Sequence, residues 1–173
     1  EIERGERAAD CREVPRDRWD ADAWYAPLPA RPGKSYTRAG AFLTDIDRFD
    51  PDFFGISARE AETLDPQQRI ALEVSFEALA RAGRAGEALR GSRTGVFLGI
   101  SERGWLQRFR RDGQPLYPDA WSGTGAVPSF AAGRIAHALG LRGPTLALDT
   151  TCSTSLVAVH LAAQALRNGE IDF

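Results

Sequence analysis

The 173-residue chain has no methionine, two cysteines, two histidines and, among 22 basic residues, a single lysine, Lys34. Each shortage excludes something. With only Cys11 and Cys152, no disulfide framework is indicated, and a reducing cytoplasm is the expected compartment. His137 and His160 have no cysteine or further histidine at ligand spacing, so no metal site is predicted. No apolar run approaches the roughly 20 residues needed to cross a bilayer, and the N-terminus lacks the charged-then-apolar layout of a signal peptide. A net charge of −2 gives no electrostatic reason to invoke a nucleic acid or an anionic membrane. The missing methionine and the abrupt end at "NGEIDF", where "IDF" reads as a new strand after a helix stop at Gly169, make the chain look like part of a longer polypeptide.

What is present is the composition of a globular domain, 43% hydrophobic and 27% charged, long enough to bury a core. Residues 1–40 read as a surface loop rich in acid, arginine and proline, pinned by Trp19, Trp24, Tyr25 and Tyr36. "GAFLTDIDRFDPDFFGIS" (40–57) reads as a packed loop. "LDPQQRIALEVSFEALARAG" (64–83) carries a helix start, with Asp65 as cap, Pro66 in the first helical position and Gln68 closing a capping box. Ile70, Val74 and Ala78 share one face of that helix, Leu72, Phe76 and Leu79 the adjacent one, and Gly83 ends it.

"RTGVFLGI" (93–100) and "TLALDT" (145–150) read as strands buried on both faces. A short helix is predicted near Trp105 to Phe109. A longer one spans 128–141, "PSFAAGRIAHALGL", with Gly140 or Gly143 as its stop. The last helix, from about Cys152 to Asn168, is apolar almost all round and is predicted to lie in the interior. Alternation of strands and helices defines an α/β chain with covered sheet faces.

Cys152 sits at the seam between the second strand and the last helix. A thiol attacks as the thiolate, and its free pKa of about 8.5 leaves little of that form at neutral pH. A helix N-terminus favours the anion and offers N–H groups to the oxyanion formed when a thioester carbonyl is attacked. Ser153, Thr154 and Ser155 keep the first turn polar. The position therefore suits acyl transfer, although a small residue fitting a tight corner has the same signature. A base is lacking: His160 lies eight residues along the same helix, roughly 12 Å of axial rise away, and His137 reads as a packing or surface residue.

"DTTCSTSLVAVHLAAQAL" (149–166) resembles the active-site segment of the β-ketoacyl synthase (ketosynthase) domains of modular type I polyketide synthases, where Asp-Thr-Ala-Cys-Ser-Ser-Ser is usual. "EVPRDRWDADAWY", "PGKSYTRAGAFLTDIDRFDPDFFGIS", "LDPQQRIALEVSFEALARAG", "LRGSRTGVFLGIS" and "GTGAVPSFAAGRIAHALGLRGPTLALDT" follow the same family in order, over nearly the whole chain. The resemblance implies a thiolase-like fold, an αβαβα stack of two α/β halves. Residues 1–173 would form most of the N-terminal half, without its first strand and without the C-terminal half. It implies that Cys152 takes an acyl chain from an acyl carrier protein thioester, followed by decarboxylative Claisen condensation with a malonyl-type extender. The two catalytic histidines would belong to the other half; His160 matches a non-catalytic position, and His137 stands where tyrosine is common.

Thr151 replaces the usual alanine and Thr154 a serine. Thr151 would border the acyl pocket, and Thr151 and Ser153 are the expected substrate-binding neighbours of Cys152. Cysteine at 152, where purely decarboxylating loading domains carry glutamine, argues for chain extension. No directly bound cofactor is implied, only phosphopantetheine-linked acyl groups on carrier proteins. The implied partners are carrier protein domains, other domains of the same synthase such as an acyltransferase, and a second copy in a homodimer with "TLALDT" near the interface. "RGWLQRFRR" (103–111) is a basic patch in which Arg108, Arg110 and Arg111 could meet an acidic carrier. "DPQQR" reads as a capped helix start in which Arg69 alone could do more, and Cys11 reads as a surface or loop thiol. The competing readings are a non-catalytic ketosynthase half, a type II fatty-acid 3-oxoacyl-carrier-protein synthase, and a cysteine hydrolase of another fold using His137.

Overall fold

The computed structural model describes residues 11–28, 31–84, 86–102, 104–105, 107, 110–111, 114–115 and 120–173. The chain divides into two compact units, Glu1–Arg48 and Phe49–Phe173. Among the described residues, no helix is long and apolar enough to cross a membrane.

The first unit is more ordered than a loop. β1 (Cys11–Glu13) and β2 (Ala39–Ala41) pair antiparallel, with Cys11 opposite Ala41. Between them lies α1 (Ala21–Trp24), where the Asp20 carboxylate accepts from the amides of Asp22 and Ala23, the usual way of satisfying first-turn donors. Two of the four expected aromatic pins hold. The Trp19 ring lies 5.6 Å from that of Phe42, and the Arg38 guanidinium sits 4.9 Å over the Tyr25 ring. Trp24 and Tyr36 instead point to solvent, 57% and 67% exposed; four-residue α1 has too little surface to cover them.

The second unit is built on a parallel pair, β3 (Val96–Gly99) and β6 (Thr145–Leu148), in register from Val96–Thr145 to Gly99–Leu148. The intervening chain carries β4 (Arg110–Arg111), antiparallel to β5 (Gln114–Pro115), then α4 (Ala120–Ala126) and α5 (Ser129–Leu139). α2 (Ala58–Thr63) and α3 (Pro66–Arg81) precede β3, and α6 (Thr154–Arg167) follows β6. Side chains alternate across a strand, so the faces of β3 can be read. Val96 and Leu98 join the cluster of Ile56, Leu64, Leu72 and Ile135, together with Ala138 and Leu139 of α5. Gly99 points the other way, onto Thr154 of α6. The sheet thus lies between α5 and α6.

Gly83 and Gly140 adopt φ of 66° and 69° directly after α3 and α5, the left-handed turn that releases a chain from a helix. Four expectations need correction. β3 and β6 are half-buried to exposed, not covered on both faces. α6 is not interior: Ala158 and Ala165 are buried, but Leu156 and Val159 are 75% and 66% exposed, because among the described residues its main packing is against β3 and the turn before the helix. On α3 the buried positions are Gln68, Arg69 and Leu72, while Val74 of the expected apolar face is 46% exposed. Residues 171–173 form no strand. They do lie along the entry to β3, with Asp172 N donating to Arg93 O and Gly95 N to Phe173 O. The helix predicted at 105–109 falls largely outside the described residues.

Candidate active site: the turn that presents Cys152

β6 stops at Leu148, and α6 begins at Thr154 after a single 3₁₀ turn, Thr151–Ser153. The sequence placed Cys152 at this seam, and the structure places it on the turn, exposed, with a free thiol. Thr151, just before it, has φ of 55°. A β-branched residue is strained in the left-handed region by about 1–3 kcal/mol, and such a turn persists only where its surroundings over-determine it.

The surroundings do so with four side chains. Asp149 Oδ1 accepts from the Thr151 amide at 2.9 Å. Thr154 Oγ1 accepts from the Thr150 amide at 2.8 Å and donates to the Thr151 carbonyl at 2.7 Å. Ser153 Oγ donates to the Thr150 carbonyl at 2.9 Å, and the Thr150 and Ser153 hydroxyls lie 2.9 Å apart. Thr154 can lie this close to the sheet because position 99 is glycine: a Cβ there would come within 2.7 Å of Thr154 Cγ2. The result is a tight strand–helix elbow with the exposed Cys152 on the turn directly before the N-terminus of α6.

Thr151 and Ser153 flank Cys152, and both are exposed. Ser153 spends its hydroxyl on the turn itself. His160 and His137 are exposed, and neither is brought to the sulfur. His160 is on the second turn of α6. His137 is at the C-terminal end of α5, where the chain turns back toward the start of β6, whereas Cys152 lies past the end of that strand. That separation removes the basis for a hydrolase using His137. Among the described residues, no group of three or more His, Cys, Asp or Glu is placed to hold a metal ion. Arg108 lies outside the described residues, and of Arg110 and Arg111 only the β4 backbone is described. Arg69 is buried, its guanidinium 5.9 Å from the Trp105 ring, while Trp105 Nε1 donates to the Thr63 carbonyl at 2.8 Å. Cys11 is exposed on β1.

Sequence reasoning missed Asp149 and Gly99. An Asp two residues before a backbone amide is a turn signature, and a glycine closing a buried strand marks a close approach; both signals were available.

An α/β unit with a cysteine elbow between a parallel strand and a helix defines a candidate acyl-transfer domain. Residues 4–173 match the family model described as β-ketoacyl synthase, N-terminal domain, and the chain belongs to that family. It is 54% identical over 157 residues to polyketide synthase GfsB of Streptomyces halstedii, covering 90% of this chain and 3% of that protein. It is 51% identical over 160 residues to a phenolphthiocerol/phthiocerol polyketide synthase polypeptide of Mycobacterium bovis, covering 92% and 9%. Among solved structures, the ketosynthase from module 6 of the bacillaene synthase of Bacillus subtilis superposes with a TM-score of 0.80 at 39% identity, covering 94% of this chain and 25% of that one. The oxazolomycin ketosynthase domain of Streptomyces albus gives 0.76 at 42%, covering 92% and 28%. The fold is therefore the thiolase-like fold of ketosynthases, of which this chain covers the N-terminal half. The chain spans about a quarter of those ketosynthase chains and under a tenth of the two synthases.

Proposed function

We propose that this chain is the nucleophile-bearing half of a polyketide ketosynthase, with Cys152 as the acyl acceptor. The observation that carries the reading is the elbow: an exposed cysteine raised on a left-handed residue at the start of α6, in a chain of the β-ketoacyl synthase family. The Cys152 sulfur attacks the carbonyl carbon of an acyl group held as a thioester on the phosphopantetheine arm of a carrier protein. The new S–C bond forms, the bond to the pantetheine sulfur breaks, and the proton of Cys152 ends on the released pantetheine thiol. First-turn N–H groups of α6 stabilise the intermediate oxyanion. A malonyl-type extender on a second carrier then loses CO₂; its carbanion attacks the Cys152 thioester, forming the C–C bond and releasing the sulfur.

The residues assisting decarboxylation, two histidines in the family's pattern, belong to the other half of the fold, in keeping with neither His137 nor His160 being placed at Cys152. Thr151 and Ser153 border the acyl group. The exposed apolar face of α6 at Leu156 and Val159 meets the second half of the fold, and β6, which among the described residues pairs only with β3, lies near a homodimer interface. The synthase works in the cytoplasm, where Cys152 stays a thiol, alongside carrier and acyltransferase domains. The alternatives of a non-catalytic half and of a type II fatty-acid synthase have no observation that favours them.

The test uses the full synthase polypeptide that carries this segment. Given an acyl-pantetheine thioester and a malonyl-loaded carrier protein, it forms a β-ketoacyl product, and Cys152→Ala forms none. Product from the alanine variant would overturn the reading.

A further inference from the structure

The elbow holds a residue type that does not favour its conformation, and one side chain restrains the amide of that residue. Thr151 has φ of 55°, and the only side-chain hydrogen bond described to its amide comes from Asp149, at 2.9 Å. Thr154 secures the other side of the same residue through the Thr151 carbonyl. From these contacts we infer that Asp149 is a positioning residue for Cys152: its carboxylate locks Thr151 in the left-handed conformation and so fixes the direction in which the sulfur and the first-turn amides face an incoming thioester. This inference rests on Cys152 being the acyl acceptor.

The physical case lies in the mismatch. Glycine adopts positive φ without strain, whereas threonine needs outside restraint. At a glycine-like position the clamp would be superfluous; at Thr151 it is required. Hydrogen bonding to a charged group is among the stronger restraints a short turn can have. The bond needs an acceptor oxygen two residues before the amide, which asparagine also supplies. The charge itself is a separate matter, because a carboxylate close to a thiol disfavours the thiolate. Position and charge therefore predict opposite outcomes when Asp149 is neutralised.

The experiment is a double-mutant cycle in the full synthase polypeptide. Two rates are read at Cys152 by peptide mapping: acylation by butyryl-pantetheine, which needs the oriented elbow, and alkylation by iodoacetamide, which needs only the thiolate. Asp149→Ala is expected to slow acylation about tenfold or more, as loss of a charge-assisted hydrogen bond implies, while changing alkylation less than about threefold. Asp149→Asn is expected to restore most of the acylation rate. In a Thr151→Gly background, Asp149→Ala is expected to cost less than about threefold, because glycine needs no clamp.

Faster acylation and alkylation in both Asp149→Ala and Asp149→Asn would overturn the inference in favour of a purely electrostatic role. An undiminished cost in the Thr151→Gly background, with melting temperature matched to the parent, would also overturn it. If Asp149→Ala fails to fold, Asp149→Asn and the Thr151→Gly pair still decide. Failure of the Cys152 reading shows separately, as butyryl label that persists in Cys152→Ala.

Discussion

α3 and α6 both begin beside an aspartate, and the two starts are built differently. At α3, Asp65 is 6% exposed, accepts from the Gln67 amide at 2.8 Å and donates its own amide to the Gly125 carbonyl. Leu64 beside it is fully buried, and Gln68 is 1% exposed. Gln68 Nε2 reaches the Gly125 carbonyl at 2.9 Å, and its Oε1 accepts from Arg134 Nε at 3.0 Å. Arg134 in turn pairs with Glu60 and donates to the Thr124 carbonyl at 3.3 Å. At α6, residues 151–153 are exposed, no side chain caps Ser153 as N-cap, and Thr151 at the start of the turn is in a strained conformation. The first start ties four helices together. The second spends its hydrogen bonds on shaping one turn and leaves its central side chain to solvent. On the proposed reading of Cys152, stability and chemistry fall to different helix starts, and substitutions should separate them.

The largest expected effect is chemical. Cys152→Ala should reduce acyl capture at least about a thousandfold, the scale seen when a nucleophile is deleted, and leave the thermal midpoint within about 1 °C because the side chain is exposed. A large drop in the midpoint would erase the contrast between the two starts. At α3 the effect should be structural. Arg134 and Glu60 have side chains only 12% and 13% exposed, and breaking such a pair leaves a buried charge, costing about 3–5 kcal/mol. Arg134→Ala should therefore lower the midpoint by roughly 10 °C for a chain of this size, measured by calorimetry.

A smaller loss is expected at the cap. Asp65→Ala removes the acceptor for the Gln67 amide and should cost about 1 kcal/mol, whereas Asp65→Asn keeps the acceptor and most of the stability; denaturant titration distinguishes them. The smallest effect lies away from both starts. The hydrogen bond and charge of Arg93 hold the Asp172 carboxyl below its ordinary value of 3.8. The contribution of the pair is therefore present above that value and fades as pH falls through the lower folded-state value. Melting curves of the parent and Asp172→Asn should differ slightly at pH 7 and converge in strong acid.

Local rules read the starts of both helices and missed their partners. Asp65 and Pro66 announced α3, and the structure starts it there. The capping box did not form, because the Gln68 amide bonds carbonyls more than fifty residues away, which no window of neighbouring residues reveals. The same distant partners, α4 and α5, decide which face of α3 is buried, so Val74 was misplaced. The strand–cysteine–helix seam was legible from β-branched and apolar patterning. The left-handed Thr151 was not, since threonine argues against that conformation and the hydrogen bonds that Asp149 and Thr154 make to its own backbone are not visible in residue propensities. The short strands β1 and β2 were invisible because lateral pairing, not periodicity, makes them, and four-residue α1 is too short to show a helical period.

The most direct test of the central claim compares the two cysteines of this chain. Cys11 and Cys152 are both exposed free thiols, so solvent access alone predicts similar reactivity toward a thioester. The full synthase polypeptide would be incubated with butyryl-pantetheine, and the acyl label counted on each cysteine by peptide mapping over time. An elbow built for acyl transfer predicts label accumulating on Cys152 at least about tenfold faster than on Cys11, the rate ratio that oxyanion-stabilising amides readily supply. Equal rates at the two cysteines, or label on Cys11 alone, would contradict it.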